Sequence, residues 1–138
     1  MKVGTVLNYN RVLKSIIDNA TDVNSLIKFR FLGMLKQFEP IVTNFETIRD
    51  EKIKEYGTTD NDGRIGIFEP KEDAFETVTD FEEAHKKYVE TINKFNDDLD
   101  AILDSDSEIE IKKFKYTDII DAGLSADYLM AIYDLIEE

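Results

Sequence analysis

The 138-residue sequence predicts a mainly α protein with a small β component (α+β), built on a long antiparallel helical hairpin. Three observations carry this expectation. Two long stretches place apolar residues at alternating spacings of three and four, a polar connector lies between them, and short β-prone runs occur near the ends. With 42% hydrophobic and 34% charged residues the composition is globular, and the length suits one domain over 1–138 with a single modest core.

The N-terminal run KVGTVL is β-prone and reads as a strand, followed by a short helix capped at Asn8 or Asn10 with Val12, Leu13, Ile16 and Ile17 on one face. Asp22 or Asn24 then opens the strongest periodic segment, which runs to about Tyr56 with Gly57 as its stop. Ile27, Phe31, Met34, Phe38, Ile41, Phe45 and Ile48 form its heptad seam. Pro40 removes a backbone donor in mid-segment, so a kink is expected there at a local cost of about 3 kcal/mol, with two helices meeting at Glu39 as the alternative.

The expected partner runs from Asp80 to about Leu103, with Phe81, Ala84, Tyr88, Ile92, Phe95, Leu99 and Ile102 as its seam. Burial of these two seams, at ~1.5 to 3 kcal/mol per side chain before entropy is subtracted, is the expected main stabilising term. Ile109 and Ile111 alternate with charged residues and read as an edge strand, which with KVGTVL and RIGIF predicts a sheet of two or three strands. Thr117 reads as the cap of a short turn ending at Gly123, and Ser125 as the cap of a closing helix holding Leu129, Met130, Ile132, Tyr133 and Ile136.

Function is less legible. A net charge of -13 repels a phosphate backbone, which disfavours direct nucleic-acid binding and suits a protein partner with a basic surface, including one that normally holds nucleic acid. The chain has no cysteine, which removes disulfides and thiolate chemistry, and no long apolar run, so an intracellular protein without a membrane span is expected. TTDNDGRIGIFE, residues 58 to 69, places Asp60, Asp62, Gly63 and Glu69 on the template of a calcium loop, but Thr58 stands at the first ligand position and Pro70 biases Glu69 away from a helix. A tight turn at Asn61-Asp62-Gly63 explains the same residues. Asp60, Asp62 and Glu69 are thus weak metal candidates, and no cofactor is expected.

His85, the single histidine, has no companion for a di-metal motif, and no phosphate loop, nucleophile elbow or metalloprotease motif occurs, so a non-enzymatic protein is expected. The acidic residues Glu82, Glu83, Glu90, Asp97, Asp98, Asp104 and Asp106 lie off the seam or in the following turn and are the expected partner-binding set. Phe29, Phe68, Phe75, Phe114 and Tyr116 fall outside the main periodicity, and some of them are candidates for an exposed aromatic patch.

The long helix ending RDEKIKEYG, the turn TTDNDGRIGIF and the closing IIDAGLSADYLMAIYDLIEE resemble, in layout, a family of small uncharacterised proteins encoded by tailed bacteriophages. The resemblance implies a phage accessory protein and carries over no catalytic residues; the exposed hairpin faces and acidic surface suit one that engages a host or phage protein in the host cytoplasm, as a host-factor or host-defence inhibitor. A virion connector subunit present in several copies, and calcium-dependent binding through residues 58 to 69, are the alternatives.

Overall fold

A computed structural model describes residues 1–137. The chain forms helix α1 (Val3–Asn19), helix α2 (Ser25–Tyr56), strands β1 (Thr58–Thr59) and β2 (Ile65–Gly66), helix α3 (Val78–Leu103), strand β3 (Phe114–Lys115), helices α4 (Tyr116–Ile119) and α5 (Ala126–Ala131), and strand β4 (Ile136–Glu137). Two compact units divide it. One comprises Met1–Thr43 with the segment from Asp104 onward, and the other comprises Asn44–Leu103.

In the first unit KVGTVL is helical, contrary to the strand expected there. Val3, Val6, Tyr9, Leu13 and Ile16 recur at helical spacing and are all buried, and their common face outweighs the β preference of the individual valines. Lys2 alone keeps a β-type contact, a bridge to Asp106. The Asn24 carboxamide accepts from the backbone amides of Leu26 at 2.9 Å and Ile27 at 3.4 Å and starts α2.

The inner stripe of the first half of α2 is Ile27, Phe31, Met34 and Phe38, all buried. It packs with α1 residues and with Phe114, Ile119, Ala122, Ile132 and Leu135 from the C-terminal segment. The core of this unit thus takes no side chain from α3, which corrects the expectation that the two seams bury each other along their length. Phe31 and Phe114 meet edge to face with ring centroids 5.4 Å apart. The Arg30 guanidinium sits 3.9 Å from the Phe114 ring centroid and donates to the Lys112 carbonyl at 3.4 Å.

Ile109 and Ile111 are not in a strand. They pack on the core as partly buried side chains, and the strand forms one turn later, where Phe114 and Lys115 pair in parallel with Ile136 and Glu137. Burial of Phe114 sets that register. Thr117 lies inside α4, whose N-cap is Lys115, whereas the Ser125 hydroxyl caps α5 by accepting from the Tyr128 amide at 3.3 Å. α5 is a short helix followed by a 3-10 turn at Tyr133–Leu135. Gly123 takes φ +87, and a Cβ there would run into the Asp22 carbonyl, so only glycine fits this turn.

α2 continues through Pro40 as one helix, and the boundary between the units falls one turn later. In the second unit the rest of α2 pairs antiparallel with α3. The Tyr56 hydroxyl donates to Asp98 at 2.6 Å and the Lys52 ammonium lies 3.5 Å from the same carboxylate, which pins the register of this hairpin. Thr77 caps α3 through the Asp80 amide, 3.1 Å from its hydroxyl. The α3 seam residues, Phe95 among them, are half-buried, as two helices alone leave the edges of a seam in water. Beyond α2, the strands β1 and β2 pair antiparallel, Thr58 opposite Gly66 and Thr59 opposite Ile65. The small sheet is therefore two separate two-stranded ladders.

Candidate docking surface

Short elements of the C-terminal segment alternate between inward and outward side chains. In α4 Ile119 is fully buried and its neighbour Ile120 faces out; after α5, Ile132 and Leu135 point inward while Tyr133 points outward. Local geometry forces this outcome, because helices of four and six residues can bury only one side. The outward set is large and apolar. Tyr116 is 54% exposed, Met130 72% and Tyr133 61%.

These residues frame two adjoining depressions. A cavity of about 560 Å³ is lined by Lys113, Tyr116, Tyr133, Asp134, Ile136 and Glu137. Beside it, an apolar groove of about 110 Å³ runs between Ile119 and Ile120 at the end of α4 and Leu129 and Met130 on α5, sharing Tyr116, Tyr133 and Ile136 with the cavity. Tyrosine and methionine are the residue types that anchor protein interfaces, since each covers much apolar area with little rotamer loss or adapts to an irregular surface.

The electrostatics of this segment are one-sided. From Tyr116 to Glu138 the sequence has six acidic residues, Asp118, Asp121, Asp127, Asp134, Glu137 and Glu138, and no lysine or arginine. Asp118, Asp121, Asp127 and Asp134 are all exposed. Asp134 also bears on the core: burial first, and then this carboxylate, push the Tyr9 hydroxyl above its ordinary range and keep it neutral. Lys113 lines the cavity beside Asp134 and Glu137, but carboxylates outnumber it, and an apolar, aromatic surface with such an excess is complementary to a segment rich in apolar and basic side chains.

The acidic residues expected to bind a partner fall into two groups. Asp98, Asp104 and Asp106 are engaged within the chain: Asp98 with Tyr56 and Lys52, Asp104 with Lys2 at 3.8 Å, and Asp106 with the Glu108 amide at 2.9 Å and the N-terminal ammonium at 3.3 Å. Tyr56, then Lys52, hold the Asp98 carboxyl below its ordinary value, and the Glu108 amide, then the N-terminus, do the same for Asp106. Glu82, Glu83, Glu90 and Asp97 are exposed on α3. There Glu82, Glu83 and Glu90 each precede a lysine by four residues, Lys86, Lys87 and Lys94, the spacing that offsets charge along a solvated helix.

Residues 58 to 69 form the turn. Asp60 Oδ1 accepts from the amides of Asp62 at 2.9 Å and Arg64 at 2.8 Å, Gly63 takes φ +80, and Asp62 lies 3.7 Å from Arg64. Asp60 thus spends its acceptor on its own loop, and Glu69 is exposed. Among the described residues no group of three His, Cys, Asp or Glu side chains gathers to hold a metal ion. His85 sits in an aromatic row with Phe81 at 5.9 Å and Tyr88 at 6.3 Å. Among the described residues no helix is long and apolar enough to cross a membrane.

Of the off-period aromatics, Phe29, Tyr116 and Phe68 are exposed, Phe75 is half-buried and Phe114 lies in the core. Met130 and Tyr133, which the sequence places in the closing helix beside Leu129 and Ile132, are exposed. The absence of any base after Lys115 was the available signal. Comparison with protein-family models, with curated proteins and with solved structures found no match.

Proposed function

We propose that the chain is a non-enzymatic protein-binding module of the phage accessory kind its sequence resembles, acting on a host or phage protein in the host cytoplasm. Its docking surface is the acidic, aromatic face formed by Tyr116, Ile120, Met130 and Tyr133. The observation that carries this reading is the coincidence of large exposed apolar side chains with carboxylates that outnumber the bases beside them. Covering such side chains removes apolar area from water, at ~25 cal/mol per Å² before association costs, and the carboxylates select for a basic companion. The partner is therefore a protein segment with interleaved apolar and basic residues, a description that includes surfaces normally occupied by nucleic acid.

A displayed library of random peptides tests the reading. Selection on the wild-type chain is expected to enrich sequences combining Arg or Lys with Leu, Phe or Trp, and Tyr133→Asp is expected to abolish their capture. Enrichment that survives Tyr133→Asp, or no enrichment, refutes it.

A further inference from the structure

The first half of α2 carries a second apolar stripe, on the side away from its core. Leu26 is 69% exposed, Phe29 73% and Leu32 49%, and the three recur every third residue. Next to them Gly33 has nothing within 4 Å of the position a Cβ would take, so the helix backbone there is open to close approach. The stripe is flanked by bases. Lys28 and Lys36 lie one turn before and after Leu32, and at the start of the stripe Leu26 shares a depression with Arg30 and Asp118.

One chain therefore bares two apolar surfaces of opposite fringe charge. Docking stripe on stripe would set lysine against lysine, and docking face on face would set aspartate against aspartate, and both cost electrostatic energy. Stripe on face pairs the bases with the carboxylates and covers both sets of apolar side chains. We infer that the Leu26-Phe29-Leu32 stripe of one copy docks on the Tyr116-Ile120-Met130-Tyr133 face of another, a heterologous self-association. The inference rests on the reading of that face as a docking surface and names its occupant as a second copy.

Seven principal side chains make a contact at the low end of specific interfaces, below about 1,200 Å² in total, so the association is weak and concentration-dependent. A head-to-tail contact closes into a ring or continues as a filament, according to the rotation between copies.

Sedimentation velocity over a concentration series decides the matter with two variants, Phe29→Asp and Tyr133→Asp. The wild-type mass is expected to rise with concentration and fall back in high salt. Each variant alone is expected to associate about tenfold more weakly or less, since one of its two surfaces is spoiled. Mixed in equal amounts they are expected to restore a two-chain species, because one variant keeps the face and the other keeps the stripe. A wild type that stays monomeric throughout, a variant that associates as the wild type does, or a mixture that fails to pair overturns the proposal. Both residues are exposed, so thermal melts should match the wild type. Leu26→Glu and Met130→Lys serve as a second pair if either variant misfolds. If the copies stay apart while a selected basic peptide binds and is lost with Tyr133→Asp, self-docking falls and the docking face stands; if neither binds, both fall.

Discussion

Phe31 and Phe95 are equivalent in the heptad pattern and unequal in the structure. Phe31 is fully buried in the core of the first unit, with the Phe114 ring edge to face against it, whereas Phe95 is half-buried on a two-helix seam. Truncating a fully buried phenylalanine to alanine costs about 3 to 5 kcal/mol, through lost transfer energy and the cavity left behind. Because Phe95 has removed less area from water and its site opens to solvent, Phe95→Ala should cost clearly less. Domains of this size have a total stability of roughly 5 to 15 kcal/mol, so Phe31→Ala consumes a large share of it. Urea unfolding followed by far-UV circular dichroism measures both variants. A double-mutant cycle of Phe31→Ala with Phe114→Ala should return a coupling of about 0.5 to 1.5 kcal/mol for the ring pair. Equal costs for Phe31→Ala and Phe95→Ala, or a Phe31-Phe114 coupling near zero, would refute the division of burial described above.

Two further outcomes follow from the backbone and the ion pairs. Gly123→Ala should destabilise the first unit far more than Gly63→Ala destabilises the second: both glycines have positive φ, but only at Gly123 would the new Cβ strike backbone, that of Asp22. Comparable melting temperatures for the two variants would contradict this. The Asp98 carboxyl is held below its ordinary value of 3.8, so its contribution to stability is present above that pH and is lost as pH falls below it toward the lowered folded-state value. Asp98→Asn should therefore reduce the melting temperature at neutral pH and flatten its decline in that acid range, with the remaining slope owed in part to Asp106. An acid limb identical to the wild type would remove Asp98 from the account.

The long helices were legible because their apolar spacing holds over many turns, and the ends of α2 because Asn24 and Gly57 act by local chemistry, as Ser125 does at the start of the short α5. The N-terminal helix was not, since Val3 and Val6 favour strands in isolation and are helical here because both are buried, Val6 in a core completed by residues distant in the chain. The C-terminal half of the core resisted reading for a related reason. Phe114, Ile119, Ala122, Ile132 and Leu135 come from a strand, two turns and a helix end and share no period. The docking face lies in this aperiodic segment, so the outward direction of Met130 and Tyr133 depended on turns that only the assembled core defines.

The first unit is sewn from the two ends of the chain, with Phe114, Ile132 and Leu135 completing a core begun by Val6 and Phe31, while the hairpin between them is one uninterrupted stretch. During synthesis the hairpin has all its parts once Leu103 has emerged, but α1 and the start of α2 must wait with their greasy sides uncovered until the last residues arrive. Ribosome-bound chains truncated after Leu103 should therefore be the most prone to capture by chaperones.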